Sequence, residues 1–361
     1  MDKDAADWID LSLVPGLGPV GYRTLLSAFG LPGEVLAASR SQIDRIVGPS
    51  IADSIKRRDR QAAVDSAIAW LEKPAHHLLT LADASYPKAL LEIPDPPPVI
   101  YVRGSPVWLS RPALAIVGSR NSTAQGRETA EQFARALSRA GMTIISGLAL
   151  GIDAAAHQGG LDGSGSTIAI IGTGADLVYP KANERLAAEV SARGAMISEF
   201  PLGTAPVPGN FPRRNRLISG LSRGVLVVEA AVSSGSLITA KLAAEQGREV
   251  LAIPGSIHSP LSRGCHALIK QGAKLVESAQ DVLDEMRFDR RIAPDSSDEG
   301  GPNISGSGSE LLQHMGYDLC NIDVLTERSR LTPAAVSAML LQLELEGRVA
   351  SLPGGLYQRV H

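Results

Sequence analysis

Six short apolar runs divide the middle of the chain: ALAIVG (113–118), MTIISG (142–147), TIAIIG (167–172), AMISEF (195–200), VLVVEA (225–230) and EVLAIPG (249–255). Amphipathic stretches lie between them, such as GRETAEQFARALSRAG (126–141) and SLITAKLAAEQG (236–247). Short continuous apolar runs alternating with helical patterns predict parallel strands covered by helices on both faces, an α/β sheet core. Ahead of this region, YPKALLEIPDPPPVIYVRG (86–104) holds three consecutive prolines and predicts an extended connector rather than a helix.

The flanks follow other patterns. LVPGLGPVGYRTLLSAFG (13–30) places a Pro-Gly-x-Gly turn before a helix with Leu25, Leu26 and Phe29 inward, as in a helix-hairpin-helix (SAM-like) domain. A weaker copy follows in SQIDRIVGPSIADSIKRR (41–58); a plain helical turn with a glycine cap fits both stretches as well. Residues 289–309, rich in Gly, Ser, Asp and Pro, predict a flexible linker. The tail carries helix patterns in SELLQHMG, NIDVLTERS and TPAAVSAMLLQLELEG, then VASLPGGLYQRV, which together predict a winged helix. Thr332 and Pro333 give its third helix a cap and a first residue. The expected domains are 1–75 (helical), 76–288 (sheet), 289–309 (linker) and 310–361 (winged helix).

Composition narrows the class. Of 361 residues 44% are hydrophobic and 20% charged, enough for a sizeable core. Aromatics make up only 4%, so any base-stacking platform is built from few rings. The two cysteines, Cys265 and Cys320, lie far apart, which fits a reducing cytoplasm rather than a disulfide framework. The N-terminus MDKDAADWIDL lacks the basic and apolar regions of a signal peptide, and no apolar run approaches ~18 residues. Net charge is −3, yet residues 76–288 hold 20 Lys and Arg against 18 Asp and Glu, the only basic part. A local basic patch binds phosphates whatever the total charge.

Four of the apolar runs lead into small residues: VGSRNS (117–122), SGLALGID (146–153), GTGAD (172–176) and EAAVSSGS (229–236). Such turns let a ligand approach the backbone, and the following helices offer N–H groups to an anion. Together they point to a phosphate-bearing ligand touching Gly118, Ser119, Gly147, Ser234, Gly235 and Ser236. Cations accompany them: Arg120, Lys181 in VYPKAN with Asn183, and Arg213, Arg214, Arg216 and Arg223 in FPRRNRLISGLSR. No acid lies between Phe200 and Val228, so these arginines lack the i, i+4 partners of a solvated helix face. Asn215 adds a donor, and Phe211 and Tyr179 are placed to stack on a base. Glu199 and Glu229 end strands as potential bases, caps or arginine partners. There is no G-x-x-x-x-G-K-[ST], G-x-S-x-G or H-E-x-x-H, and Gly172-Thr173-Gly174 does not complete G-x-G-x-x-G. His258, Cys265 and His266 lack metal-ligand spacing, so neither a metal nor a cofactor is expected.

In order along the chain, YPKALLEIPDPPPVIYVRG, VGSR, SGLALGIDAAAH, GTGADLVYPKAN, SEFPLG, FPRRNRLISGLS, VVEAAVSSGSLITA and AIPG resemble the DNA-processing protein A family (DprA, also called Smf) over nearly the whole chain. The resemblance implies an extended Rossmann-like domain that binds single-stranded DNA as a homodimer. It implies a role in natural transformation, shielding incoming strands and loading the RecA recombinase, with no catalytic activity. Family DNA contacts fall on Arg120 and Lys181. In GCHALIKQGA, His266 stands where many members carry Asn. The recognition-helix segment Thr332 to Gly347 has Glu344 and Glu346 but no Lys or Arg, so the tail is expected to dock protein rather than duplex DNA. Two other readings stay open. One is a phosphoribohydrolase using Glu229, the SSGS turn and the arginines; the other is a scaffold whose arginines serve a dimer interface.

Overall fold

The computed structural model describes residues 3–288 and 307–360. Six helices come first: α1 (Lys3–Ser12), α2 (Pro19–Phe29), α3 (Pro32–Ala37), α4 (Arg40–Val47), α5 (Pro49–Arg57) and α6 (Gln61–Leu71). Prolines occupy the first position of α2, α3 and α5, where a missing N–H costs nothing. Gly30 and Gly48 close α2 and α4 in backbone conformations with positive φ. The helices bury Trp8, Tyr22, Leu25, Ile43, Ile55 and Trp70 among themselves and extend this core onto Val99 and Tyr101 of the sheet.

Nine strands and eight helices follow: β1 (His76–Thr80), α7 (Lys88–Leu91), β2 (Val99–Gly104), β3 (Ala113–Val117), α8 (Ala124–Arg139), β4 (Thr143–Ser146), α9 (Ile152–Leu161), β5 (Thr167–Ile170), α10 (Glu184–Arg193), β6 (Ala195–Ser198), α11 (Asn210–Leu221), β7 (Gly224–Val227), α12 (Ser236–Glu245), β8 (Glu249–Ala252), α13 (Arg263–Lys270), β9 (Lys274–Leu275) and α14 (Ala279–Glu285). All six expected strands are present, each shorter than its apolar run because the last residues of the run turn into the loop that follows. The sheet order is β1-β2-β6-β5-β4-β3-β7-β8-β9. From β6 to β9 the pairing is parallel, while β1–β2 and β2–β6 are antiparallel. The stretch 86–104, expected to be extended throughout, instead folds a short helix before its prolines and a strand after them.

Strand β3 shows why the runs are continuously apolar. Ala113, Ala115 and Val117 face one core layer with α11 and α12, whereas Leu114 and Ile116 face the other with α8 and α9. A strand buried on both faces has no polar alternation to offer. Helices α8 and α9 approach closely because a Cβ on Gly159 would lie 2.1 Å from the Glu131 carbonyl oxygen.

The tail comprises α15 (Ser307–Met315), β10 (Cys320–Asn321), α16 (Ile322–Ser329), α17 (Pro333–Leu345), β11 (Val349–Leu352) and β12 (Leu356–Arg359). Its strands pair in the order β10-β12-β11 around a core of Leu311, Met315, Leu325, Val336, Leu340 and Leu343. The tail sits against the start of α8. The Gln125 backbone N–H donates to Gln358 Oε1 at 3.3 Å, and the Gln125 carboxamide reaches the carbonyls of Arg359 and Val360 at 2.9 and 3.2 Å. Among the described residues no helix is long and apolar enough to cross a membrane.

Candidate functional site

Strand order reverses between β3 and β7: β3 leads back through β4, β5 and β6 on one side, and β7 leads to β8 and β9 on the other. A crevice at the carboxyl ends of two such strands is where open α/β sheets bind ligands. Here it opens as a cleft of about 570 Å³, lined by Gly118, Ser119, Arg120, Tyr179, Phe211 and Ser234 among others.

The loop after β3 carries the first set of residues. The Ser119 N–H donates to the Glu229 carbonyl at 2.7 Å, and the Ser119 carbonyl accepts from Ile152 N–H at 3.2 Å. A Cβ on Gly118 would lie 2.6 Å from Ile152 Cγ1, so only glycine permits this approach. The loop ends at Thr123, whose hydroxyl accepts from Gly126 N–H at 2.9 Å and caps α8. Both oxygens of Glu229 are taken by Thr123, through its hydroxyl at 2.6 Å and its N–H at 2.9 Å. Glu229 is therefore a structural acceptor. Arg120 is exposed at the cleft, its guanidinium 5.6 Å from the Phe211 ring centroid. Phe211 in turn lies 5.7 Å from Tyr179, which is also exposed.

The loop after β4 is held from below. Asp153 accepts from the N–H groups of Gly147 and Ala149 at 3.1 and 3.4 Å. Arg214, only 4% exposed, donates through Nη1 to the Gly147 carbonyl at 2.8 Å and also to that of Ile170. Asn183 donates through Nδ2 to the Leu148 and Ala149 carbonyls at 2.9 and 3.1 Å. Gly151, at φ +77°, passes so close to β3 that a Cβ would lie 2.3 Å from the Ser119 carbonyl oxygen. Burial raises the Asp153 carboxyl above its usual range, opposed by Arg214 beside it. Burial lowers the Arg214 guanidinium to about 10, with Asp153 opposing and Arg120 reinforcing the shift.

His157 completes this support. It is fully buried, and its Nε2 accepts from Leu148 N–H at 3.3 Å. Nδ1 therefore carries the proton toward Thr167 Oγ1 at 2.7 Å. Burial lowers its pKa from 6.5 to about 3, with the Arg214 charge adding to the effect. The unfolded chain thus binds a proton that the folded state refuses. The stabilisation is complete above about pH 6.5 and is lost as pH falls toward 3, by up to about 1.4 kcal/mol per pH unit. Asp153 and Glu199, raised by burial, tilt the other way, so the informative comparison is between variant and wild type. Urea unfolding across this range is expected to show a shallower acid loss for His157→Gln. An unchanged pH slope would exclude the buried histidine as its source.

The arginines of 211–223 separate into distinct environments. Arg213 is half-exposed and donates through Nη2 to Glu199 Oε2 at 3.0 Å. Arg216 is buried, paired with Glu199 through Nη2 and bonded through Nη1 to the Asp95 carbonyl at 2.6 Å. Arg223 opens β7 at the opposite edge of the sheet and donates to the Met286 carbonyl at 2.9 Å, so it does not belong with the strand-end cations. Lys181 is exposed on the loop after β5, next to the cleft-lining Tyr179.

The second wall is the start of α12. Ser234 Oγ and Ser236 Oγ lie 2.7 Å apart, and Gly235 precedes the first helical turn. Asn215 Nδ2 approaches the Gly235 carbonyl at 3.5 Å and so joins α11 to this turn. Three of the four small-residue turns thus converge. The fourth, GTGAD, is turned to other work: Gly174 N–H donates to the Thr204 carbonyl, and Asp176 accepts from Gly203 N–H at 2.9 Å. Asp153 and His157 carry little signal in the sequence. Their only signal is an acid and a histidine in SGLALGIDAAAH, four residues apart on one helix face.

The fold and cleft define an α/β protein with a mostly parallel sheet and a cleft at its carboxyl edge, flanked by a helical segment and a winged helix. A family model described as DNA recombination-mediator protein A matches residues 77–287, and one for the DprA winged helix domain matches 302–355. The chain is 41% identical over 329 residues to Protein Smf of Escherichia coli, covering 88% of each, and 46% identical over 230 residues to DNA processing protein DprA of Streptococcus pneumoniae, covering 64% and 81%. The X-ray structure of the Streptococcus pneumoniae protein aligns with TM-score 0.68 at 41% identity, covering 77% of this chain and 97% of that one. A structure of DNA processing protein A from Helicobacter pylori, described by its single-stranded DNA binding mode, aligns with TM-score 0.54 at 30% identity over 60% and 98%. The chain belongs to the DprA/Smf family.

Proposed function

We propose that the cleft between β3 and β7 holds single-stranded DNA by its phosphates. The observation that carries this reading is the exposed Arg120 at the switch point, beside Phe211 and Tyr179 and facing the open start of α12. Arg120 and Lys181 take phosphates directly. Gly118, Ser119, Ser234, Gly235 and Ser236 contribute backbone and hydroxyl donors, and Arg213 and Asn215 lie within reach of the strand. Arg214, Arg216, Gly147 and Asn183 shape the loops and do not touch DNA, because their groups are buried and engaged within the protein. The aromatic pair gives bases a sequence-tolerant stacking surface. The Helicobacter pylori relative supports the choice of single strands.

On this reading the protein is a cytoplasmic homodimer that protects incoming DNA during natural transformation and helps load RecA, without catalysis. The tail contributes little to strand affinity, since its third helix lacks cations. Deleting residues 309–361 is expected to change oligonucleotide affinity less than threefold; a large loss measured by anisotropy would place DNA on the tail. The phosphoribohydrolase reading is disfavoured by Glu229, whose two oxygens are spent on Thr123. Anisotropy with a labelled oligonucleotide, run beside a nucleoside monophosphate turnover assay, separates the two. Binding without turnover is expected, and turnover without oligonucleotide binding would reverse the assignment.

A further inference from the structure

Helix α17 is apolar on two opposite faces. Val336, Leu340 and Leu343 are buried in the tail's own core. On the other side Ala334, Ala338, Leu341 and Leu345 form a stripe at spacings of four, three and four, which is one helix face. Leu341 is 60% exposed and Leu345 83% exposed. The tail meets the sheet domain through β12, and the gap beside that contact is lined by Tyr317, Asp318, Leu319, Arg328 and Gln358. The α17 stripe is not part of it.

We propose that this stripe is a self-association surface, on which α17 of a second copy packs antiparallel about a two-fold axis. The order of side chains is the argument. Two alanines occupy the first half of the stripe and two leucines the second. Antiparallel pairing sets Leu345 against Ala334 of the second copy and Leu341 against its Ala338, with each large side chain entering the space over a small one. Parallel pairing sets leucine on leucine and leaves a gap between alanines.

The charges agree. Glu344 and Glu346 lie at the carboxyl end of α17, while exposed Arg330 flanks its amino end. Antiparallel packing brings the two glutamates of each copy toward the Arg330 and positive helix terminus of the other. Parallel packing stacks glutamate on glutamate. No Lys or Arg lies between Thr332 and Gly347, so the face suits a copy of itself better than a nucleic acid. Two leucines per side amount to less than the about 800 Å² per partner of a standard interface, so the contact is weak alone and is reinforced when molecules are held close together. The inference does not depend on where DNA binds.

Disulfide trapping in the full chain tests the register. An Ala334→Cys protein mixed with a Leu345→Cys protein is expected to form a mixed disulfide dimer under mild oxidation. Each protein alone is expected to form far less, because in this register like positions are separated by about 16 Å along the helices. Wild-type protein is the control, since Cys265 and Cys320 are buried. In a second arm, Leu341→Glu with Leu345→Glu is expected to lower the concentration-dependent rise in sedimentation-average mass below that of wild type, with an unchanged thermal midpoint. Equal trapping in the single-variant samples, or sedimentation like wild type in the glutamate variant, overturns the proposal. A stripe covered by a different protein gives both of those results. A dimer formed through the sheet domain leaves the trapping pattern unchanged, because trapping reports only the α17 register, and adds equally to the mass of the wild-type and glutamate proteins, so the second arm is read from the difference between them.

Discussion

Replacing Arg120 and Lys181 together by alanine is expected to weaken binding of a labelled single-stranded oligonucleotide by about 100-fold or more. A hydrogen bond to a charged group contributes about 1.5–3 kcal/mol, and about 1.4 kcal/mol is a factor of ten. The two residues sit on loops after different strands and share no partner, so their effects are expected to add. Both side chains are exposed, and the nearest interaction of Arg120 is with the Phe211 ring, so the thermal midpoint is expected to stay within a degree or two of wild type. Anisotropy on the single and double variants checks this. Unchanged affinity in the double variant would remove DNA from the β3–β7 cleft.

Arg214→Ala is expected to behave in the opposite way, as a stability variant. It leaves Asp153 buried without its neighbouring cation and orphans the Gly147 and Ile170 carbonyls. Each buried acceptor left unsatisfied costs about 1–3 kcal/mol, so the two carbonyls together cost about 2–6 kcal/mol. Urea unfolding is expected to show a loss of that order, and Arg214→Lys is expected not to restore it, since an ammonium lacks the fork that spans two carbonyls. Asp153→Asn combined with Arg214→Met is expected to lose less than the two single changes added together. A wild-type unfolding midpoint for Arg214→Ala would show that the β4–α9 loop is held by other means.

These two arginines show where the sequence was readable. Arg120 follows a strand with no acid nearby, and the structure places it exposed at the cleft. Arg214 and Arg216 have the same sequence signature, in a segment free of acids. Asp153, whose charge acts on Arg214, and Glu199 and Asp95, which pair with Arg216, come from distant segments, and the packing of α11 against β5 and the β6 loop brings them together. The alternating apolar runs made the parallel strands legible because both faces of each are buried. Strand β1 is not legible because HHLLT opens on two histidines, β2 because it directly follows prolines, and β9 because two residues carry no pattern. The Gly-rich turns mark the carboxyl edge where three of them line the cleft, but give no sign that GTGAD braces the loop after β6.

The central claim is that phosphates bind at this one edge, and a salt titration tests it most directly. For single strands, log affinity is expected to fall with log salt by about 0.7 for every phosphate neutralised. The Arg120→Ala, Lys181→Ala protein is expected to have a slope shallower than wild type by about 1.4, two contacts' worth. Parallel slopes for the two proteins, with affinity shifted or not, would contradict the account, because the ions released on binding would then come from elsewhere.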